Sequence, residues 1–243
     1  MAIVLFTDFG SSDPYVGQVE AVLDRMAPLA RVIHLLHAAP PFNVRAGAHL
    51  LAALAHGFPP GQVFVSVIDP GVGTDRAGAV LRADASWYVG PDNGLLSIVA
   101  ARAADCAVWR IARAAPEASP TFHGRDVFAP VAAAIATGRF PNADVAPADG
   151  LSVRLSADDL GEVIYVDHYG SAFTGIRARG LPLSGCLGAS GRKIAHARVF
   201  AEAPPGVPFW YENSSGLVEI AVNRGSAAAV LGLAVGAPVA WED

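Results

Sequence analysis

Asp8, Asp69, Arg76 and His123 are the side chains whose types and surroundings could do chemistry. Asp8 follows the unbroken apolar run Ile3, Val4, Leu5, Phe6, the pattern of a strand buried on both faces of a parallel sheet. A carboxylate just past such a strand stands where open α/β sheets bind ligands; capping a turn is the competing role. Asp69 repeats the arrangement after residues 63–68, with Gly71, Gly73 and Arg76 behind it. Glycines there let backbone and ligand approach closely, although the stretch lacks the Lys-Ser/Thr ending of a phosphate loop, and a turn with a capping aspartate fits equally well. His123 stands just before a helical pattern. A helix N-terminus and a nearby arginine both disfavour imidazolium, so a neutral His123 could accept a proton or position water, or else simply cap the helix. Residues 90–94, Gly-Pro-Asp-Asn-Gly, read first as a tight turn and could line a pocket.

The elements that must carry these groups follow from periodicity. Strands are expected over 3–6, 32–36, 63–68, 79–82 and 87–89, alternating with helices, which argues for an α/β domain with a mainly parallel central sheet over residues 1–150. Asp13-Pro14 reads as a helix cap with proline at the first helical position, and Tyr15, Val19, Val22, Leu23 and Met26 follow at helical spacing. Further helices are expected over 46–55 and 95–104, and from about Arg125, where Phe128, Val131, Ala132 and Ile135 share a face. Periodicity fails between Thr137 and about Asp159, the expected linker. Short strand-like runs separated by Gly, Pro, Ser and Asn then predict a smaller β-barrel domain over residues 160–243.

The 243 residues are 53% hydrophobic with a net charge of −5, enough to fill a globular core and a poor match to nucleic acid. Apolar stretches are broken before they reach membrane-span length, and no basic leader precedes the first strand; a soluble, cytoplasmic protein with no membrane partner is expected. Cys106 and Cys186 are too few for a disulfide framework or a thiolate zinc site and are expected to be buried and reduced. His34, His37, His49, His56, His168 and His196 share no metal-ligand spacing.

In order along the chain, TDFGSSDPYVG (7–17), VIDPGVGTDR (67–76), VGPDNGLLS (89–97), TFHGRDVFAP (121–130), VIYVDHYGS (163–171) and LVEIAVNRGSAAAVLGLAVG (217–236) resemble the S-adenosylmethionine hydroxide adenosyltransferase family, relatives of fluorinase and chlorinase. The resemblance implies an N-terminal α/β domain followed by a C-terminal β-barrel. It also implies a homotrimer whose substrate lies between one subunit's N-terminal domain and its neighbour's C-terminal domain. The implied reaction is attack of water or hydroxide on the ribose 5'-carbon of S-adenosylmethionine, giving adenosine and L-methionine with no cofactor and no metal. In the hydrolytic branch the water is assigned to an Asp, Arg and His set that falls on Asp69, Arg76 and His123. Halogenating relatives carry tyrosines in place of Asp69 and His123 and an extra loop after the arginine, whereas here ten residues separate Arg76 from Trp87.

By the same resemblance Asp8 grips the ribose hydroxyls and Asp167 receives the methionine ammonium. Ser214, with Ser215 beside it, lies near the methionine carboxylate, and Phe42 and Phe173 enclose the nucleoside. Ser171 stands where the family commonly shows Asn, and Gly175 replaces a further Asn; a serine lacks the amide's paired donor and acceptor.

Two other functions fit some of these residues. Asp8, Asp69, Asp92, His123 and Asp126 offer the oxygen and nitrogen ligands of a metal-dependent phosphoesterase. A non-catalytic sensor of S-adenosylmethionine or adenosine would also keep the binding groups.

Overall fold

The computed structural model describes residues 1–111 and 117–242. By contacts the chain divides into two compact units, Met1–Ala52 with Phe58–Ala157, and Asp158–Asp243 with Ala53–Gly57.

The first unit is built on seven strands: β1 (Ile3–Thr7), β2 (Val32–Leu36), β3 (Val63–Val67), β4 (Gly78–Ala83), β5 (Ser86–Pro91), β6 (Cys106–Ile111) and β7 (Val145–Ala148). They lie in the order β2-β1-β3-β5-β4-β6-β7. β2, β1, β3 and β5 run parallel, and β4, β6 and β7 are added antiparallel. Every residue of β1 and β3 is buried, which is why both read as continuous apolar runs. From β1 the chain passes to β2 on one side and to β3 on the other, so the strand order reverses at β1/β3. That makes the carboxyl ends of these two strands the natural crevice for a ligand.

Helix α1 (Tyr15–Met26) lays Val19, Val22 and Leu23 on this sheet. The Asp13 expectation is corrected: Pro14 occupies the cap position with no side-chain cap bond. Helices α2 (Val44–Ala55), α3 (Ser97–Arg102) and α4 (Ala129–Ala136) follow, and α4 buries Val131, Ala132 and Ile135 as expected. Residues Gly124–Phe128 form a π-helical turn rather than the first turn of that helix. The expected linker is not bare chain, because β7 lies in it, paired with β6, and the Ser152 amide and hydroxyl both donate to Asp92. Cys106, expected to be buried, is exposed, and Cys186 is half-buried; both are free.

The second unit holds β8 (Leu160–Val166), β9 (Ala172–Arg177), β10 (Cys186–Ala189), β11 (Arg192–Ile194), β12 (Pro208–Glu212), β13 (Leu217–Val222) and β14 (Val239–Glu242), with the short helix α5 (Ala227–Leu231). They form a four-stranded sheet, β12-β13-β9-β8, and a three-stranded sheet, β11-β10-β14. Bridges Glu162↔Pro238 and His196↔Trp210 join the two sheets at both edges, closing a ring around Trp210, Val163, Leu187 and Ile220.

Candidate active site

Asp69 lies just beyond β3, and the chain behind it coils back on itself. The Val72 amide donates to the Asp69 carbonyl, and both the amide and hydroxyl of Thr74 donate to the Gly71 carbonyl. These turns bring Arg76 alongside Asp69: Nε donates to Oδ1 at 2.8 Å and Nη2 to Oδ2, a bidentate pair of the kind that fixes both planes. The pair is largely buried, with side-chain exposures of 11% for Arg76 and 6% for Asp69. Beneath it the buried Phe128 ring lies 5.3 Å from the guanidinium carbon.

The same Nη2 lies 2.8 Å from His123 Nδ1. A guanidinium only donates, so Nδ1 accepts and the imidazole hydrogen sits on Nε2. His123 makes no helix-cap bond. Burial and, after it, the Arg76 charge hold its basicity below the ordinary histidine value, against weaker pulls from Asp69 and Asp126. Gly73 serves the joining of two loops: a Cβ there, where φ is +81°, would meet the Pro120 carbonyl at 2.9 Å.

The 90–94 turn turns out to brace this corner. Asn93 Nδ2 donates to the Ile68 carbonyl at 2.9 Å, one residue before Asp69. Gly90 is required because a Cβ there would lie 2.2 Å from the Ser66 carbonyl on β3.

Asp8 sits beyond β1, its amide continuing the ladder to the Val67 carbonyl and its Oδ2 accepting the Phe42 amide at 3.3 Å. Burial raises its pKa, and the Phe42 bond opposes that rise. Phe42 holds φ at +61°, a left-handed conformation costly for an aromatic residue, while its side chain is 76% exposed. Asp8, Phe42, Asp69 and His123 line one cleft of about 340 Å³. Phe9, Tyr15 and Phe122 form its aromatic wall, the Tyr15 and Phe122 rings meeting edge to face at 5.5 Å. Sequence reasoning missed that wall, having taken Tyr15 for a core position of α1. His37 has a structural part: it bonds Thr7 Oγ1 and His34 and so braces the end of β1.

Asp92 and Asp126 are not drawn into this cleft: the first is bonded to Ser152, the second to Arg125 and the Ser119 amide. Among the described residues no group of three or more His, Cys, Asp and Glu side chains is arranged to hold a metal ion.

In the second unit, Asp167 Oδ1 accepts the amides of Tyr169 and Ser171. Asp167, Tyr169, Ser171, Tyr211, Glu219 and Arg224 line a pocket of about 660 Å³. Ser214 and Ser215 stand on the turn between β12 and β13, and Phe173 packs on Tyr165 outside the pocket lining. Gly175 has a packing cause: a Cβ there would meet the Leu160 carbonyl at 2.7 Å, where β8 shifts register.

The N-terminal domain of SAM hydroxide adenosyltransferase matches residues 3–145 and its C-terminal domain residues 161–240. The chain belongs to the SAM hydroxide adenosyltransferase family. Within the family it is 44% identical to the (R)-S-adenosyl-L-methionine hydrolase of Salinispora arenicola, covering 95% of this chain and 93% of that one. It is 40% identical to the protein of the same name from Thermus thermophilus, covering 98% of each. A crystal structure of an uncharacterized conserved protein from Thermotoga maritima superposes with a TM-score of 0.90 at 32% identity, covering 99% of this chain and all of that one.

Proposed function

We propose that this family member hydrolyses S-adenosyl-L-methionine to adenosine and L-methionine, acting on the (R) sulfonium epimer that its relatives carry in their names. The observation that carries the reading is the Asp69–Arg76–His123 chain at the mouth of an aromatic cleft that also holds Asp8.

The water oxygen bonds to the ribose 5'-carbon as the carbon–sulfur bond breaks, and that electron pair stays on sulfur, which leaves as a neutral thioether. The leaving group needs no acid, so the work is to orient and desolvate the nucleophile. His123 Nε2–H donates to the water oxygen, while Asp69 accepts one of its hydrogens and passes the released proton to solvent. Arg76 sets the angle between the two. A carboxylate at the point of attack also opposes a halide ion. Asp8 takes the ribose hydroxyls and Asp167 the methionine ammonium, with Ser214 and Ser215 near its carboxylate. Phe42 and Phe173 flank the nucleoside, and Ser171 stands on the adenine side. No cofactor is required.

Homotrimeric assembly in the cytoplasm belongs to the same reading. Phe42 and Tyr169, 76% and 79% exposed, are aromatic side chains at pocket rims that a neighbouring subunit would cover; among the described residues no helix is long and apolar enough to cross a membrane.

The test is incubation of chelator-treated protein with each sulfonium epimer, with and without chloride, and separation of the products. Equal amounts of adenosine and methionine are expected from the (R) epimer. A 5'-chlorinated nucleoside, or substrate recovered intact, overturns the reading.

A further inference from the structure

One buried carboxylate in the lining of the second unit's pocket has no part in these roles. Glu219 stands on β13, 3% exposed. Its Oε1 accepts the Tyr211 hydroxyl at 2.6 Å, its Oε2 accepts Asn213 Nδ2 at 3.0 Å, and the Ser171 side chain also bonds it. Burial, with Asp167 nearby, raises its pKa, and these donors pull it back. A carboxylate is costly to bury, and an apolar residue of similar size would serve packing as well.

What Glu219 supplies is direction. Asn213, itself 7% exposed, accepts on Oδ1 the amides of Ser215 at 2.9 Å and Leu217 at 3.1 Å. These bonds close the turn that carries Ser214 and Ser215. An asparagine amide has a donor end and an acceptor end, and turned the other way it would present hydrogens to those two amides. Glu219 can only accept from it, so Nδ2 must face the carboxylate and Oδ1 the turn. Through Ser171, the same carboxylate reaches the loop whose amides Asp167 holds.

We propose that Glu219 is a positioning residue for the methionine end of the substrate: by orienting Asn213 it sets the Ser214–Ser215 turn, and through Ser171 it registers that turn with Asp167. The proposal deepens the hydrolase reading and rests on it.

The test compares wild type, Glu219→Gln, Asn213→Asp and the double variant for kcat, KM and inhibition by added methionine, with thermal unfolding as a control. In Glu219→Gln one of the two carboxylate acceptors becomes an NH2, so Asn213 Nδ2 and the Tyr211 hydroxyl no longer both find an acceptor, and KM and the methionine inhibition constant should both rise by about tenfold while kcat stays within about threefold. In the double variant the glutamine donates to the new carboxylate, and KM should return to within about threefold of wild type. Tyr211→Phe, which deletes one bond and no packing, should raise KM by about threefold and serves if Glu219→Gln does not fold. An unchanged KM in these variants, a loss in kcat alone, or a double variant no better than Glu219→Gln overturns the proposal. Wild type run in the same assay tests the hydrolase reading separately, since that reading fails if wild type releases no adenosine.

Discussion

Arg76 Nη2 stands 2.8 Å from His123 Nδ1 while the same guanidinium grips both oxygens of Asp69. The imidazole is therefore a hydrogen-bond donor toward the cleft through Nε2, and its neutral form is the one that fits. Of the two roles open to a neutral His123, accepting a proton or positioning water, this contact favours the second. In the proposed reaction the accepting role therefore falls to Asp69.

A donor role can be told from a base by substitution. His123→Gln restores an N–H near the Nε2 position, so it should keep at least about tenfold more kcat than His123→Ala, which is expected to lose about 10²-fold with little change in substrate affinity. Equal activities of the Gln and Ala variants in single-turnover kinetics would return His123 to the role of base.

The pH profile follows from the same contact. Burial and Arg76 lower the His123 pKa from 6.5, and a proton on Nδ1 would face a guanidinium. Between that lowered value and 6.5 the unfolded chain binds a proton that the folded site refuses. The His123 contribution to stability is thus complete above the unfolded value and is lost as pH falls through the folded one. Initial rates should hold from neutrality to below 6.5 and then fall, with a limb that disappears in His123→Gln. A limb centred above neutrality that survives in His123→Gln would assign it elsewhere.

Arg76→Lys keeps the charge and loses the fork. A single ammonium cannot serve both Asp69 oxygens and His123 at once, so kcat should fall by about 10²-fold with KM within a few-fold. Steady-state kinetics showing a change in KM alone would make Arg76 a binding residue.

Phe42 offers a test of backbone strain. Replacing it with glycine relieves a left-handed conformation worth about 1 kcal/mol or more and removes little packing, since the ring is 76% exposed. Phe42→Gly should unfold at the same or higher denaturant concentration while adenosine binds about tenfold more weakly. A large loss of stability would mean the ring is a core element.

Gly175→Asn should lower stability by about 2 kcal/mol or more, because its Cβ would meet the Leu160 backbone in a filled interior. Denaturant unfolding at wild-type stability would show that β8 can give way.

Much of the frame is legible in the residues, and the reasons are local. β1 and β3 are buried on both faces and so must be continuously apolar, and α4 shows its buried stripe directly. Four features were not legible in the local pattern. The Arg76–His123 contact joins residues 47 apart, with no repeat to announce it, and only the family resemblance grouped the two. The π-helical turn at Gly124–Phe128 inserts a residue that leaves no periodic trace. β7 is four residues long with Pro147 inside it, too short to alternate, and it reads as linker until paired with β6. The aromatic wall of Phe9, Tyr15 and Phe122 was hidden differently, because helical spacing places Tyr15 on the core face and the chain spends it on the cleft instead.

The two bridges that close the ring of β8 to β14 tie down both outer strands of each sheet in that unit. A passing extended peptide finds little free register to extend there, which narrows the commonest route to runaway association between β-rich surfaces. Self-association through this unit then rests mainly on side chains, so it can be weakened or re-paired one residue at a time without unpicking a sheet.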